Sequence, residues 1–85
     1  MSYGTIVNEL ARTLGRHIIA YDNLPDHGGC ILYLDGPVKR IDISIGALEE
    51  GPSTVAAFVR QVISSPPSEQ TSLKIGLRDG DLTVL

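Results

Sequence analysis

The sequence has little aromatic or thiol chemistry: it contains no tryptophan, one phenylalanine and one cysteine in 85 residues. Hydrophobic residues still make up 42% of the chain, so its core must be built mainly from aliphatic side chains. The lone cysteine, Cys30, excludes an intramolecular disulfide, and its place in an apolar run predicts a small buried residue. Stability must therefore come from packing in a small domain.

Positive charge is also scarce. Seven Lys and Arg residues stand against ten Asp and Glu residues, which gives a net charge of -3 at pH 7 and argues against a nucleic-acid partner. No apolar run approaches the about 18 residues of a membrane span, and the amino terminus lacks the pattern of a signal peptide. The sequence therefore predicts one cytoplasmic, soluble domain, residues 1–85.

Residues that could carry chemistry are few and badly spaced. The two histidines, His17 and His27, have no acid partner at a diagnostic spacing, so we expect no catalytic residue and no enzyme activity. Asp22, Asp26, His27 and Cys30 fit neither a zinc spacing nor a calcium loop. We therefore predict neither a metal site nor a cofactor, and interpret residues 22–29 as an ordinary loop.

Two segments have helical periodicity. The first runs from about Thr5 to Leu14 and precedes Gly15, which is placed for a left-handed cap. The second carries apolar residues from Val55 to Ile63, and Ser53 or Thr54 is available to cap it. Its apolar arc is wider than one sheet face needs, so its second side packs either on a partner subunit or on the first helix.

Three strands are predicted between these helices. The segments are His17 to Tyr21, Cys30 to Leu34, which is apolar on both faces, and Val38 to Ile45, which alternates and so shows one face to water. A single helical turn is predicted at residues 47–50.

Pro37 determines the length of the loop between the second and third strands. A two-residue Asp35-Gly36 turn would need the amide of residue 37, which proline lacks. A four-residue loop over residues 35–38 avoids this loss. It sets Leu32 against Ile41 and Cys30 against Ile43.

The last fifteen residues predict a hairpin. Asp79-Gly80 is a favoured two-residue turn, and apolar residues alternate on both sides of it. This register pairs Leu77 with Leu82 and Ile75 with Val84. The full order is helix, three antiparallel strands, helix and two-strand hairpin, an α+β domain with helices packed on a single antiparallel sheet.

This order of segments resembles the small acidic chaperones of bacterial type III secretion, in the class that serves individual effector proteins. The segments that carry the likeness are LARTLGRHIIAYD, CILYLDGPVKRIDIS, AAFVRQVISS and SLKIGLRDGDLTVL, and together they span nearly the whole chain. Family members continue past the last hairpin into a further helix, so the chain resembles a short variant that ends at Leu85. We expect residues 82–85 near a sheet edge that is less covered than in longer relatives.

The resemblance implies a homodimer that holds the amino-terminal segment of a secreted effector in extended form for export. It implies an apolar client-binding surface at Leu10, Leu14, Ile18, Leu32 and Leu34. It also implies a dimer interface at Val55, Phe58, Val59, Val62, Leu73 and Ile75. For all of these residues the alternative is a place in the chain's own core.

A second function remains open. A small inhibitory protein, such as an immunity protein or a phage-encoded inhibitor, would bind and block one folded target. It would not need to be a dimer.

Overall fold

One five-stranded sheet with helices packed on it forms the structure. The computed structural model describes residues 3–15, 18–23, 29–67 and 69–85, and statements about structure refer to these. In chain order the elements are α1 (Tyr3–Leu14), β1 (Ile18–Asn23), β2 (Cys30–Leu34), β3 (Arg40–Ile43), α2 (Ile45–Leu48), α3 (Pro52–Ser64), β4 (Ser72–Arg78) and β5 (Asp81–Val84). The predicted α+β class and single sheet are confirmed.

The strands lie in the order β1-β2-β3-β4-β5, so each strand neighbours the next one in the chain. Three pairs are antiparallel, but β3 and β4 are parallel, so the prediction of a wholly antiparallel sheet is wrong at this pair. The reason is the connection: α2 and α3 carry the chain from the end of β3 back to the other end of the sheet. Parallel neighbours need such a crossover.

Both turns follow the expected chemistry. The Leu34 amide donates to the Lys39 carbonyl at 2.9 Å, which closes a four-residue loop and pairs Leu32 with Ile41. In the last hairpin Asp79 and Gly80 have φ of 54° and 84°, the positive values that this two-residue turn requires. Leu77 pairs with Leu82 and Ile75 with Val84, so both predicted registers are confirmed.

The segment after β3 differs from its prediction. The strand ends at Ile43, because Ser44 caps a short helix by accepting a hydrogen bond from the Ala47 amide at 3.2 Å. Ile45 was predicted as the last residue of the third strand. It begins α2 instead, and its side chain is 40% exposed.

The start of α3 also differs. Ser53 or Thr54 was predicted as the cap, but the helix begins at Pro52 and its N-cap is Gly51, with no side-chain hydrogen bond. Gly51 has φ of 105°, a conformation that side-chain-bearing residues rarely adopt, and proline is well suited to the first helical position. At the end of α1, Gly15 has φ of 58° as the left-handed cap predicts.

The core lies between the helices and one face of the sheet. Leu32, Ile41 and Leu73 are cross-strand neighbours on that face and cluster with Leu10 of α1 and Val59 of α3. The two helices pack on each other, so α3 covers its second side with α1. Of the two possibilities for the wide apolar arc of α3, packing on the first helix is therefore observed.

Candidate functional site: the groove beside strand β5

An open groove of about 670 Å³ lies between α3 and β5. Half-buried Phe58 and buried Val62 line it from the helix, and half-buried Leu82 and Val84 line it from the strand. These four side chains also contact the core, or belong to it, so folding itself holds the groove in place.

The polar lining of the groove is acidic. Glu50, which follows α2, and Asp81, which begins β5, are both exposed and both line it. Among the described residues that line the groove there is no Lys, Arg or His. The lining of the groove therefore carries two carboxylates and no cation, although Arg78 lies directly opposite Asp81 across the β4–β5 ladder.

Strand β5 has a free side, because it is the last strand of the sheet and pairs only with β4 among the described strands. The Leu85 amide donates inward to the Lys74 carbonyl at 2.8 Å. Inward and outward backbone groups alternate along an antiparallel strand. The N–H and C=O groups of Leu82 and Val84 therefore point away from β4, and the side chains of the same two residues line the groove.

The opposite edge of the sheet is different. Strand β1 pairs with β2, but its register shifts between Ile18 and Ala20, which marks a β-bulge at Ile19. The Ile19 side chain is 68% exposed. A bulge interrupts the regular row of backbone groups that a further strand would need, and it commonly protects an edge from pairing.

The sheet face away from the helices carries charge. Arg40 donates to Asp42 through two nitrogens, at 2.7 and 3.2 Å. These hydrogen bonds, and the charge of Asp42, raise the pKa of the Arg40 guanidinium. Both groups are engaged with each other, so this pair offers no open binding group.

The residues predicted as a client surface lie mostly inside the chain. Leu10, Leu14, Leu32 and Leu34 are between 0% and 3% exposed, and Ile18 is half-buried at the start of β1. They do lie together, since all pack in or against one core. That burial is what the alternative, a place in the chain's own core, predicts.

The residues predicted as a dimer interface are placed similarly. Val55, Val59, Leu73 and Ile75 are 3% exposed or less and Val62 is 6% exposed. Phe58 is the member of the set with a sizeable exposed surface. Sequence reasoning did not identify the groove, although Leu82 and Val84 were visible as an alternating pair and residues 82–85 were expected at an edge, where β5 does lie.

The residues considered for other chemistry add little. His17, Asp26 and His27 lie outside the described residues. Within the described ranges no three His, Cys, Asp or Glu residues are grouped as metal ligands would be. Cys30 is buried, and this burial together with the charge of Asp42 raises the pKa of its thiol to about 11. Buried thiols of this kind are unreactive.

None of the helices in the described ranges is long and apolar enough to span a bilayer. None of the protein-family models, curated proteins or solved structures compared with the chain matches it.

Proposed function

We propose that this protein is a non-enzymatic, chaperone-like binding protein that holds the amino-terminal segment of a secreted effector in extended form for type III export. The observation that carries the proposal is the combination of an apolar groove with a regular free strand edge beside it. An extended segment uses both features, since its backbone adds to the strand and its side chains enter the groove. Neither metal nor nucleotide is required.

We include the homodimer and the cytoplasmic location in this proposal. The dimer is expected to use surface beyond the buried residues of the predicted interface, because those residues already pack within one chain. Light scattering on the purified protein measures this directly. A strictly monomeric protein would argue against the chaperone.

The proposal is tested by co-expression with effector proteins encoded beside this chain. A soluble complex should form with the whole effector and should be lost when the effector's amino-terminal segment is deleted. Phe58→Glu, which puts a charge in the groove, should abolish the complex. Ile19→Glu, which puts the same charge at the bulged edge, should leave it intact.

The second candidate, an inhibitor of one folded target, is favoured by a specific observation. Five of the six predicted dimer residues are satisfied inside a single chain, which suits a protein that acts as a monomer. The same co-expression distinguishes the two functions. A complex that survives deletion of the partner's extended segment and requires its folded domain would support the inhibitor and contradict the chaperone.

A further inference from the structure

The groove differs from an ordinary apolar depression in the charges around it. Glu50 and Asp81 both line it, they come from different elements, and both are exposed to a ligand. The described lining residues include no cation, but Arg78 lies opposite Asp81 in the β4–β5 ladder and offsets part of its charge, so Glu50 is the carboxylate that a ligand's cation would meet. The whole chain is also acidic, with a net charge of -3. An occupant that brings positive charge would lower this repulsion, whereas an acidic one would increase it.

The backbone of β5 restricts the shape of the occupant. The outward N–H and C=O groups belong to Leu82 and Val84, and the register of β5 with β4 is regular over four residue pairs. A chain in extended conformation satisfies such groups at the spacing of a sheet ladder. A helix cannot satisfy them, because its own backbone groups are already bonded to each other.

The side chains of β5 set the pattern of the occupant. Leu82 and Val84 lie on one side of the strand, together with Phe58 and Val62 of α3. An added strand presents alternate side chains to that same side. Its apolar residues at alternate positions would therefore cover the exposed parts of these four side chains.

From these three features we propose that the groove binds an extended, cationic polypeptide segment, which adds to β5 as a sixth strand. Its alternate apolar side chains lie against Phe58, Val62, Leu82 and Val84, and a lysine or arginine lies near Glu50. This inference rests on the proposed function and defines the kind of client segment that it requires.

A second copy of this chain is a poorer occupant. Pairing two β5 strands across a two-fold axis would bring together two acidic groove linings, each with Glu50 and with no cation of its own. Repulsion between like charges costs binding energy and selects against such a partner.

The test uses the full chain and two labelled synthetic peptides in fluorescence anisotropy. One peptide alternates valine and threonine and carries an arginine in place of one valine, so that the arginine faces the groove; the other carries glutamate in place of the arginine. The arginine peptide should bind, and its affinity should fall as salt concentration rises. Equal affinity for the two peptides, or a preference for the glutamate peptide, would overturn the inference.

Matched variants locate the binding. Glu50→Lys should weaken the arginine peptide by about fivefold, which is the size expected for a single exposed ion pair, and should improve binding of the glutamate peptide. Glu49→Lys makes the same charge change one residue away, at an exposed position outside the groove lining, and should leave both affinities unchanged. Identical effects of the two variants would show that binding follows net charge alone, and would contradict the proposed site.

Two outcomes separate this inference from the proposed function. If the arginine peptide binds in the groove but no effector segment does, the inference stands and the chaperone proposal fails. If an effector segment binds and Phe58→Glu abolishes its binding, but Glu50→Lys leaves its affinity unchanged, the chaperone proposal stands and the inference fails. A dimer that buries Phe58 and Leu82 would likewise overturn the inference.

Discussion

The two edges of the sheet differ in their strand register and in the surface beside them. At one edge β1 is bulged at Ile19, and the neighbouring strand β2 is almost fully buried. At the other edge β5 keeps a regular register, and its half-buried Leu82 and Val84 open into a groove. The bulge therefore disturbs the start of the β1 edge, whose register is regular from Ala20 to Asn23, whereas the β5 edge combines outward backbone groups with the apolar surface that a further strand requires.

The largest expected difference between the edges is in packing energy. Leu34 pairs with Ile18 at the β1 side and is 2% exposed, so Leu34→Ala should destabilise the protein by about 3 kcal/mol. Leu82 at the β5 side is half-buried, and Leu82→Ala should cost about 1 kcal/mol. Urea unfolding of both variants measures the contrast. Equal losses would mean that the β5 edge is packed as tightly as the β1 edge.

The next effect concerns the thiol on β2 beside the bulged edge. The pKa of Cys30 is raised to about 11 in the folded protein from 9.0, so the unfolded thiol ionises first as pH rises. The contribution of the neutral Cys30 thiol to the free energy of unfolding is fully present below pH 9. It is lost between pH 9 and 11, which lowers the free energy of unfolding by about 2 to 3 kcal/mol.

Unfolding of the wild type and of Cys30→Ala as a function of pH checks this effect. The variant should lack this part of the alkaline loss, since tyrosines and lysines contribute equally to both proteins. Rapid alkylation of Cys30 by iodoacetamide in the native protein at neutral pH would contradict the burial of this thiol beside β1.

A smaller effect separates the two sides of β5 itself. The Thr83 amide points toward β4, as the Leu85 amide does. Thr83→Pro should therefore remove an internal hydrogen bond and lower the free energy of unfolding by about 2 kcal/mol. Val84→Pro removes an amide that points outward, and an edge strand tolerates proline at such a position. It should lower the free energy of unfolding by about 1 kcal/mol or less.

Peptide binding should respond in a different way to these prolines. Val84→Pro should keep the fold and lose the arginine peptide, because an outward donor is missing. Full binding by a folded Val84→Pro variant would show that the peptide does not pair with β5.

The smallest expected effect is at the bulge. Ile19 is 68% exposed, so Ile19→Lys should change the free energy of unfolding by less than about 0.5 kcal/mol and leave peptide affinity unchanged. A marked loss of peptide affinity would move the binding site to the β1 edge and contradict the comparison.

Local chemistry explains which parts of the fold were predictable. Pro37 and the Asp79-Gly80 turn determined two strand registers, because turn geometry and apolar alternation act on neighbouring residues and agree with each other. The parallel pairing of β3 with β4 joins segments separated by two helices. No local signal between Ile43 and Ser72 specifies on which side, or in which direction, the chain returns.

The candidate site was less predictable, for a physical reason. An apolar pattern shows that Leu32 or Val59 will be buried, but it does not distinguish the chain's own core from a partner. The groove depends on how far α3 stands from β5, and this follows from packing among residues far apart in sequence. Phe58 was singled out from the sequence, whereas its neighbours Leu82 and Val84 were recognised only as hairpin partners.

The most direct test of the free β5 edge is amide hydrogen exchange, followed by NMR residue by residue. In the free protein the outward amides of Leu82 and Val84 should exchange fast, and the inward amides of Thr83 and Leu85 should be protected. Adding the arginine peptide should protect Leu82 and Val84 and leave Ile19 unchanged. Protection that appears at the β1 edge, with Leu82 and Val84 still exchanging freely, would contradict the account.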